Sequence, residues 1–133
     1  IKEHYQLRAI LESACAEIAA GEGVDISGIE ESYETAKEAL GKGDYESYAN
    51  FNRDFHSEIW TAAGNHKMEN MIAELWNGLS MGNMVTEEEY AKVSIQEHGK
   101  IVDAIRKRNT VKAKKEMYDH IMRSRDDMLT YYK

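Results

Sequence analysis

The sequence predicts an all-α fold, an antiparallel helical bundle of six to seven helices. Three observations predict it. The chain of 133 residues contains no proline, the residue that most often breaks helix interiors. Its glycines gather at 21–23, 41–43, 64, 78 and 82, the spacing of helix ends rather than of hairpin turns. Apolar residues recur every three or four positions, and no alternation of strand type rises above that pattern.

The elements follow in order. A first helix spans roughly Glu3 to Ala20, with Leu7, Ile10, Leu11, Ala14, Cys15, Ile18 and Ala19 as its apolar stripe, and Gly21 to Gly23 end it. A second spans Ile26 to Leu40, with Asp25 or Ser27 as N-cap and Ile29, Tyr33, Ala36 and Leu40 inward. Asp44 is the expected cap of a third helix that ends near Ala63 at a Gly64-Asn65 turn. Its stripe is Tyr45, Tyr48, Phe51, Asn52, Phe55, His56 and Ile59. The fourth starts near His66 and carries Met68, Met71, Ile72, Leu75, Leu79 and Met81 or Met84, with Gly78 and Gly82 loosening its far end. Residues 86–93 form an extension or a connection. Ser94 and Glu97 match a capping box and predict a new helix carrying His98, Ile101, Val102 and Ile105 inward. Asn109 and Thr110 break and recap the chain before a last helix from Val111 to about Tyr131, with Ala113, Met117, His120, Ile121, Ser124 and Met128 on one face.

Composition limits the function. A net charge of −7 argues against direct binding of a phosphate backbone or an anionic membrane. No run of apolar residues reaches the length of a membrane span, and no secretory signal is visible. The single cysteine, Cys15, forms no intrachain disulfide and fits a reduced, cytoplasmic setting. The chain opens on Ile1 and enters a helix almost at once, as expected of part of a longer protein.

Three histidines, His56, His98 and His120, fall on inward faces of three helices, and Asn52 sits one turn before His56. Taken singly, each reads as a hydrogen-bonded core residue. Together they give three imidazoles and an amide converging on one interior, which is costly without a shared purpose. Neutral imidazole is the commonest protein ligand for zinc and related ions, and bundle cores hold such sites. The expected metal set is therefore Asn52, His56, His98 and His120, with open positions left for water or a small anion. The expected cofactor is a divalent ion, zinc foremost, with nickel, manganese or iron also suited. His4 and His66 read as solvent-facing, the methionines as core filler, and Trp60 and Trp76 as packing residues, Trp76 possibly walling a cavity. Arg8 reads as one half of a surface pair with Glu12 at i+4, a ligand carboxylate being the alternative partner. No nucleophile elbow, phosphate loop, HExxH or CxxC occurs, so no motif supports an enzyme.

The stretch Asn52-Arg-Asp-Phe-His56 through Ala-Ala-Gly-Asn65 resembles the D/N-x-x-F-H…A-x-G-N signature of the FCD domain, the C-terminal effector-binding domain of FadR-subfamily GntR transcription regulators. Glu97-His98-Gly-Lys-Ile101-Val-Asp-Ala-Ile105 is similar to that family's E-H-x-x-I-x-x-A-I element. Ala113 through His120-Ile121 resembles its A-x-x-x-M-x-x-H-I element, and Tyr5 to Glu12 its first helix. The resemblance implies a metal held by Asn52, His56, His98 and His120, and a small organic acid (a sugar acid, hydroxy acid or dicarboxylate) as effector. It further implies a homodimer and a DNA-binding winged helix preceding Ile1, so that DNA is contacted only through that domain. Arg8 best matches an effector-binding arginine on the first helix. Two departures stand out. Asn52 occupies a position where the family more often has aspartate, which removes a negative charge from the site. On the fourth helix, where many members place arginine, Trp76, Asn77, Gly78 and Asn83 stand instead, and Asn83 is the expected effector contact there. The leading expectation is a ligand-sensing regulatory domain. The alternative is a metal-dependent enzyme acting on a small acid with the same histidines.

Overall fold

The computed structural model describes residues 2–78 and 87–131. Among the described residues there are six helices and no strands: α1 (Lys2–Ala19), α2 (Ser27–Gly41), α3 (Tyr48–Ala63), α4 (His66–Gly78), α5 (Glu87–Arg106) and α6 (Thr110–Tyr131). The all-α bundle expected from the sequence is what forms. None of these helices is long and apolar enough to cross a membrane.

The helix ends follow side-chain chemistry. Asp25 Oδ1 accepts from the Ser27 amide at 2.9 Å and its hydroxyl at 2.7 Å, which ties the turn ahead of α2, whose N-cap is Ile26 rather than Asp25 or Ser27. Asp44 Oδ1 accepts from the Ser47 amide at 3.2 Å; it caps the turn ahead of α3, which begins at Tyr48. Gly64 stops α3 in the left-handed region at φ 72°, where a Cβ would be strained. Asn65 and Asn109 accept from the amides three residues on, both at 3.1 Å, and open α4 and α6.

Two further expectations are corrected. Ser94 does not start a helix: α5 runs unbroken from Glu87, and Ser94 lies buried inside it. The S-x-x-E spacing is also one turn of a continuous helix, and the helix-forming residues before Ser94 propagate into it. The inward stripe of α1 is also different. Leu7, Ile10 and Ile18 stand 41%, 52% and 40% exposed, while Tyr5, Arg8, Ala9, Glu12, Ser13, Cys15, Ala16 and Ala19 are buried. Cys15 and Ala19 of the expected stripe are buried, but the buried face is rotated from that stripe because this helix buries a charged pair.

α1 is the centre of the bundle. It packs against α3, α4, α5 and, most extensively, α6, while α2 covers α3 and α5. Small side chains, Ala9, Ala16 and Ala19 on α1 and Ala113 on α6, are fully buried and suit that close pairing. Phe55, Ile59, Ile72, Ile101, Ile105, Met117 and Ile121 fill the core around them. This arrangement turns one face each of α1, α3, α5 and α6 toward a common interior. Leu79, Met81, Gly82, Asn83 and Met84 lie outside the described residues, as do the side chains of Asn77 and Met128.

Candidate metal centre

His56, His98 and His120 come from α3, α5 and α6 and meet in that interior, all buried. His120 Nε2 is 3.3 Å from His98 Nε2 and 3.3 Å from His56 Nε2. One nitrogen from each ring lies within 4.8 Å of the other two. Aromatic rings wedge the imidazoles in place. Phe55 stacks on His98 with centroids 4.1 Å apart, and Trp76 tilts over His56 at 4.9 Å.

The partners on the far side of each ring were mostly unforeseen. Glu12 Oε1 lies 2.5 Å from His56 Nδ1 and accepts from Trp60 Nε1 at 3.0 Å. Its other oxygen accepts from Arg8 Nε and Nη2, both at 2.8 Å. The Arg8–Glu12 pair therefore exists as read from the sequence, but it is buried, not on the surface. Arg8 Nη1 is enclosed and has no hydrogen-bond partner among the described residues, and its guanidinium lies 4.4 Å above the Trp76 ring. On the opposite side Glu97 Oε1 lies 2.6 Å from His120 Nδ1 and accepts from Arg123 Nη2 at 2.7 Å. His98 meets hydroxyls instead: Tyr48 Oη is 3.5 Å from its Nδ1, and Ser94 Oγ is 3.4 Å from its Nε2. The Tyr48 hydroxyl donates to Ser94 at 2.7 Å.

Asn52 is buried one turn before His56, as its spacing required, and its Nδ2 donates to the Tyr90 hydroxyl at 3.2 Å. His66 is exposed as expected. His4 is half-buried rather than solvent-facing, with Nε2 enclosed, and burial lowers its pKa. Cys15 does not join the cluster; burial, then Glu12 and Glu69, push its thiol up to about 12. The one signal in the sequence for Glu12 was its i+4 spacing from Arg8. Tyr48 was on the predicted inward stripe of its helix, whereas nothing in the spacing pointed to Glu97, which reaches His120 across helices, or to Arg123, which meets the cluster through Glu97.

The donor set fits a divalent ion. Nitrogens held at about 2.0–2.1 Å around a tetrahedral zinc stand about 3.3 Å apart, the spacing of the two His120 contacts. Electrostatics also favour ligation. Burial, then the neighbouring His120 and His56, hold His98 well below its usual pKa, so it is neutral near pH 7. Burial lowers His120 to about 4, with the Glu97 hydrogen bond opposing and His56 adding. Neutral imidazole is the ligating form. Burial alone would raise both carboxyls, but the contacts outweigh it. His56, Arg8 and Trp60 hold Glu12 far below the carboxylate range, and His120 with Arg123 brings Glu97 to about 2.

These shifts fix a pH dependence for the metal-free chain. His120 moves from 6.5 unfolded to about 4 folded, so between those values the unfolded chain binds the extra proton. Its contribution is full above 6.5 and is lost as pH falls toward 4, at about 1.4 kcal/mol per pH unit in mid-window. Glu97, at 4.5 unfolded and about 2 folded, extends the loss from pH 4.5 downward. Urea midpoints are expected to be level from pH 8 to 7 and to fall steadily below 6.5. A midpoint unchanged down to pH 5 contradicts the buried neutral state.

Residues 3–123 match the FCD domain. The chain belongs to the FCD domain family. It is 27% identical over 130 residues to the Uxu operon regulator of Haemophilus influenzae, covering 90% of this chain and 47% of that protein. Its fold is similar to Streptococcus agalactiae GntR, with a TM-score of 0.76, 27% identity and coverage of 90% of this chain and 55% of that one. It also matches the fold of E. coli McbR/YncC, with a TM-score of 0.81 over 99% of this chain and 65% of the other, at 20% identity. The chain thus spans about half the length of the curated relative it matches. The curated relative is an operon regulator, not an enzyme, and nothing in these matches supports the enzyme alternative.

Proposed function

We propose that this chain is the effector-binding domain of a FadR-subfamily GntR transcription regulator, sensing a small organic acid at a metal held in the bundle core. The single observation that carries the reading is the convergence of three buried imidazoles, His120 Nε2 lying 3.3 Å from both His56 and His98 and one nitrogen of each ring within 4.8 Å of the others. Asn52, His56, His98 and His120 are the proposed ligands, with zinc the first candidate ion. When bound, such an ion supplies an electrophilic position for a carboxylate oxygen. Arg8 is the proposed effector residue of the chain itself: its enclosed Nη1 is a charged donor still able to take an anion. Asn83, the other expected contact, lies outside the described residues.

DNA binding is assigned to a winged helix preceding this segment, and the full regulator to a cytoplasmic homodimer. Support for the homodimer comes from α1. Leu7, Ile10 and Ile18 fall on one exposed helix face, and Leu7 shares a groove with Met71 and Leu75 of α4. An acid that binds one helix arrangement better than another shifts the balance between dimer geometries and hence DNA affinity.

A thermal-shift screen of sugar acids, hydroxy acids and dicarboxylates, run with and without zinc, tests this reading. At least one acid is expected to raise the melting temperature only in the presence of zinc, and to lose that effect in Arg8→Lys. No shift from any acid, with zinc or without it, contradicts the sensing role.

A further inference from the structure

Two lines of contact run outward from the histidine cluster, and they are built alike. In the first, Arg8 donates to Glu12, and Glu12 Oε1 faces His56 Nδ1 at 2.5 Å. In the second, Arg123 donates to Glu97, and Glu97 Oε1 faces His120 Nδ1 at 2.6 Å. The first joins α1 to α3 and the second joins α6 to α5, so the relays close on the cluster from opposite pairs of helices.

An ionised carboxylate only accepts, so the ring nitrogen that faces it carries the proton. His56 and His120 therefore each carry a proton on Nδ1. Their Nε2 atoms, the nitrogens turned away from the carboxylates, face one another at 3.3 Å. A histidine buried for packing alone satisfies both nitrogens separately; here the inner nitrogens are turned together, which is favourable when a cation lies between them. The negative charge in contact with these two rings belongs to Glu12 and Glu97.

We infer that Glu12 and Glu97 are positioning residues of the proposed metal centre: each holds one imidazole by Nδ1 with its Nε2 turned inward and supplies negative charge beside the cluster. This rests on the metal reading above. Carboxylates bonded to the outer nitrogen of a ligating histidine orient the ring and strengthen it as a donor. The arginines hold the carboxylates in turn. Arg123 also donates to Asp127 at 2.7 Å, which anchors the second relay along α6.

Glu97 is the residue to test, because it is partly exposed, at 24%, and its loss leaves no charge fully buried. The wild-type chain, Glu97→Ala and Glu97→Gln are compared by two readouts. Proton–nitrogen correlation spectra of the metal-free chain near neutral pH report which nitrogen of each imidazole is protonated. Competition with a chelating dye reports the zinc dissociation constant. In wild type, His56 and His120 are expected to show the Nδ1–H pattern. In Glu97→Ala, His120 loses that pattern, His56 keeps it, and zinc binding weakens 10–100-fold. Glu97→Gln retains an acceptor oxygen without the charge, so it restores the His120 pattern and gives an intermediate affinity. A His120 tautomer unchanged in Glu97→Ala overturns the inference, as does a zinc constant within threefold of wild type. A wild-type chain that takes up no zinc contradicts the metal centre itself, and the tautomer comparison then still decides whether Glu97 orients His120.

Discussion

Glu12→Ala is expected to lower the unfolding free energy by about 3–5 kcal/mol, the cost of stripping one partner from a buried ion pair. The magnitude follows from what Glu12 holds. Its carboxylate is fully buried, and it accepts from a guanidinium, an imidazole and an indole at once. Removing it leaves Arg8, itself 2% exposed, charged in the core with no counter-ion. It also frees the His56 ring and the Trp60 N–H. An exposed i,i+4 pair is worth only a few tenths of a kcal/mol, so the experiment separates the buried pair from the surface pair that spacing alone suggested. Urea unfolding of the metal-free chain supplies the number. A loss below about 1 kcal/mol would place Arg8 and Glu12 in solvent and remove the anchor of the first relay.

The second large effect belongs to His98. In wild type, zinc at a hundredfold excess over its dissociation constant is expected to add about 2.7 kcal/mol to folding stability. In His98→Ala that increment should fall to near zero, because two imidazoles and an amide are a poor cage for the ion. The comparison is made within each variant, with and without metal, so the packing lost against Phe55 cancels. Melting curves at matched zinc suffice. An undiminished increment in His98→Ala means that the ion sits elsewhere on the chain.

Much of the fold was legible because helix ends are written locally. Gly64 and Asn109 act where the sequence placed them. The errors on α1 and at Ser94 share one physical cause, that periodicity counts apolar residues and cannot see a polar one being buried. Arg8, Glu12 and Ser13 occupy inward positions on α1 while Leu7, Ile10 and Ile18 face out, so the predicted stripe shares only part of the buried face, Cys15 and Ala19 among it. Ser94 was read as a cap because Ser94 and Glu97 match a capping box, yet here it lies inside α5 and meets the Tyr48 hydroxyl from another helix. The three histidines were found because they lie on stripes that do bury. Their carboxylate partners were not, since a contact spanning 44 residues, as between Glu12 and His56, leaves no trace in spacing.

Asn52 keeps its interest in this light. In the proposed centre the Asn52 amide adds no charge, so a bound dication would be balanced by Glu12 and Glu97, each already shared with an arginine. That arrangement keeps the centre net attractive to an anion, which suits a sensor of organic acids.

Absorption spectroscopy at the zinc edge, on the chain loaded with one equivalent of zinc, tests the central claim most directly. The predicted result is one tightly held ion per chain with three imidazole nitrogens at about 2.0–2.1 Å and the remaining positions filled by oxygen. Loading far below one equivalent, or a shell with fewer than three imidazoles, would contradict a metal centre built from His56, His98 and His120.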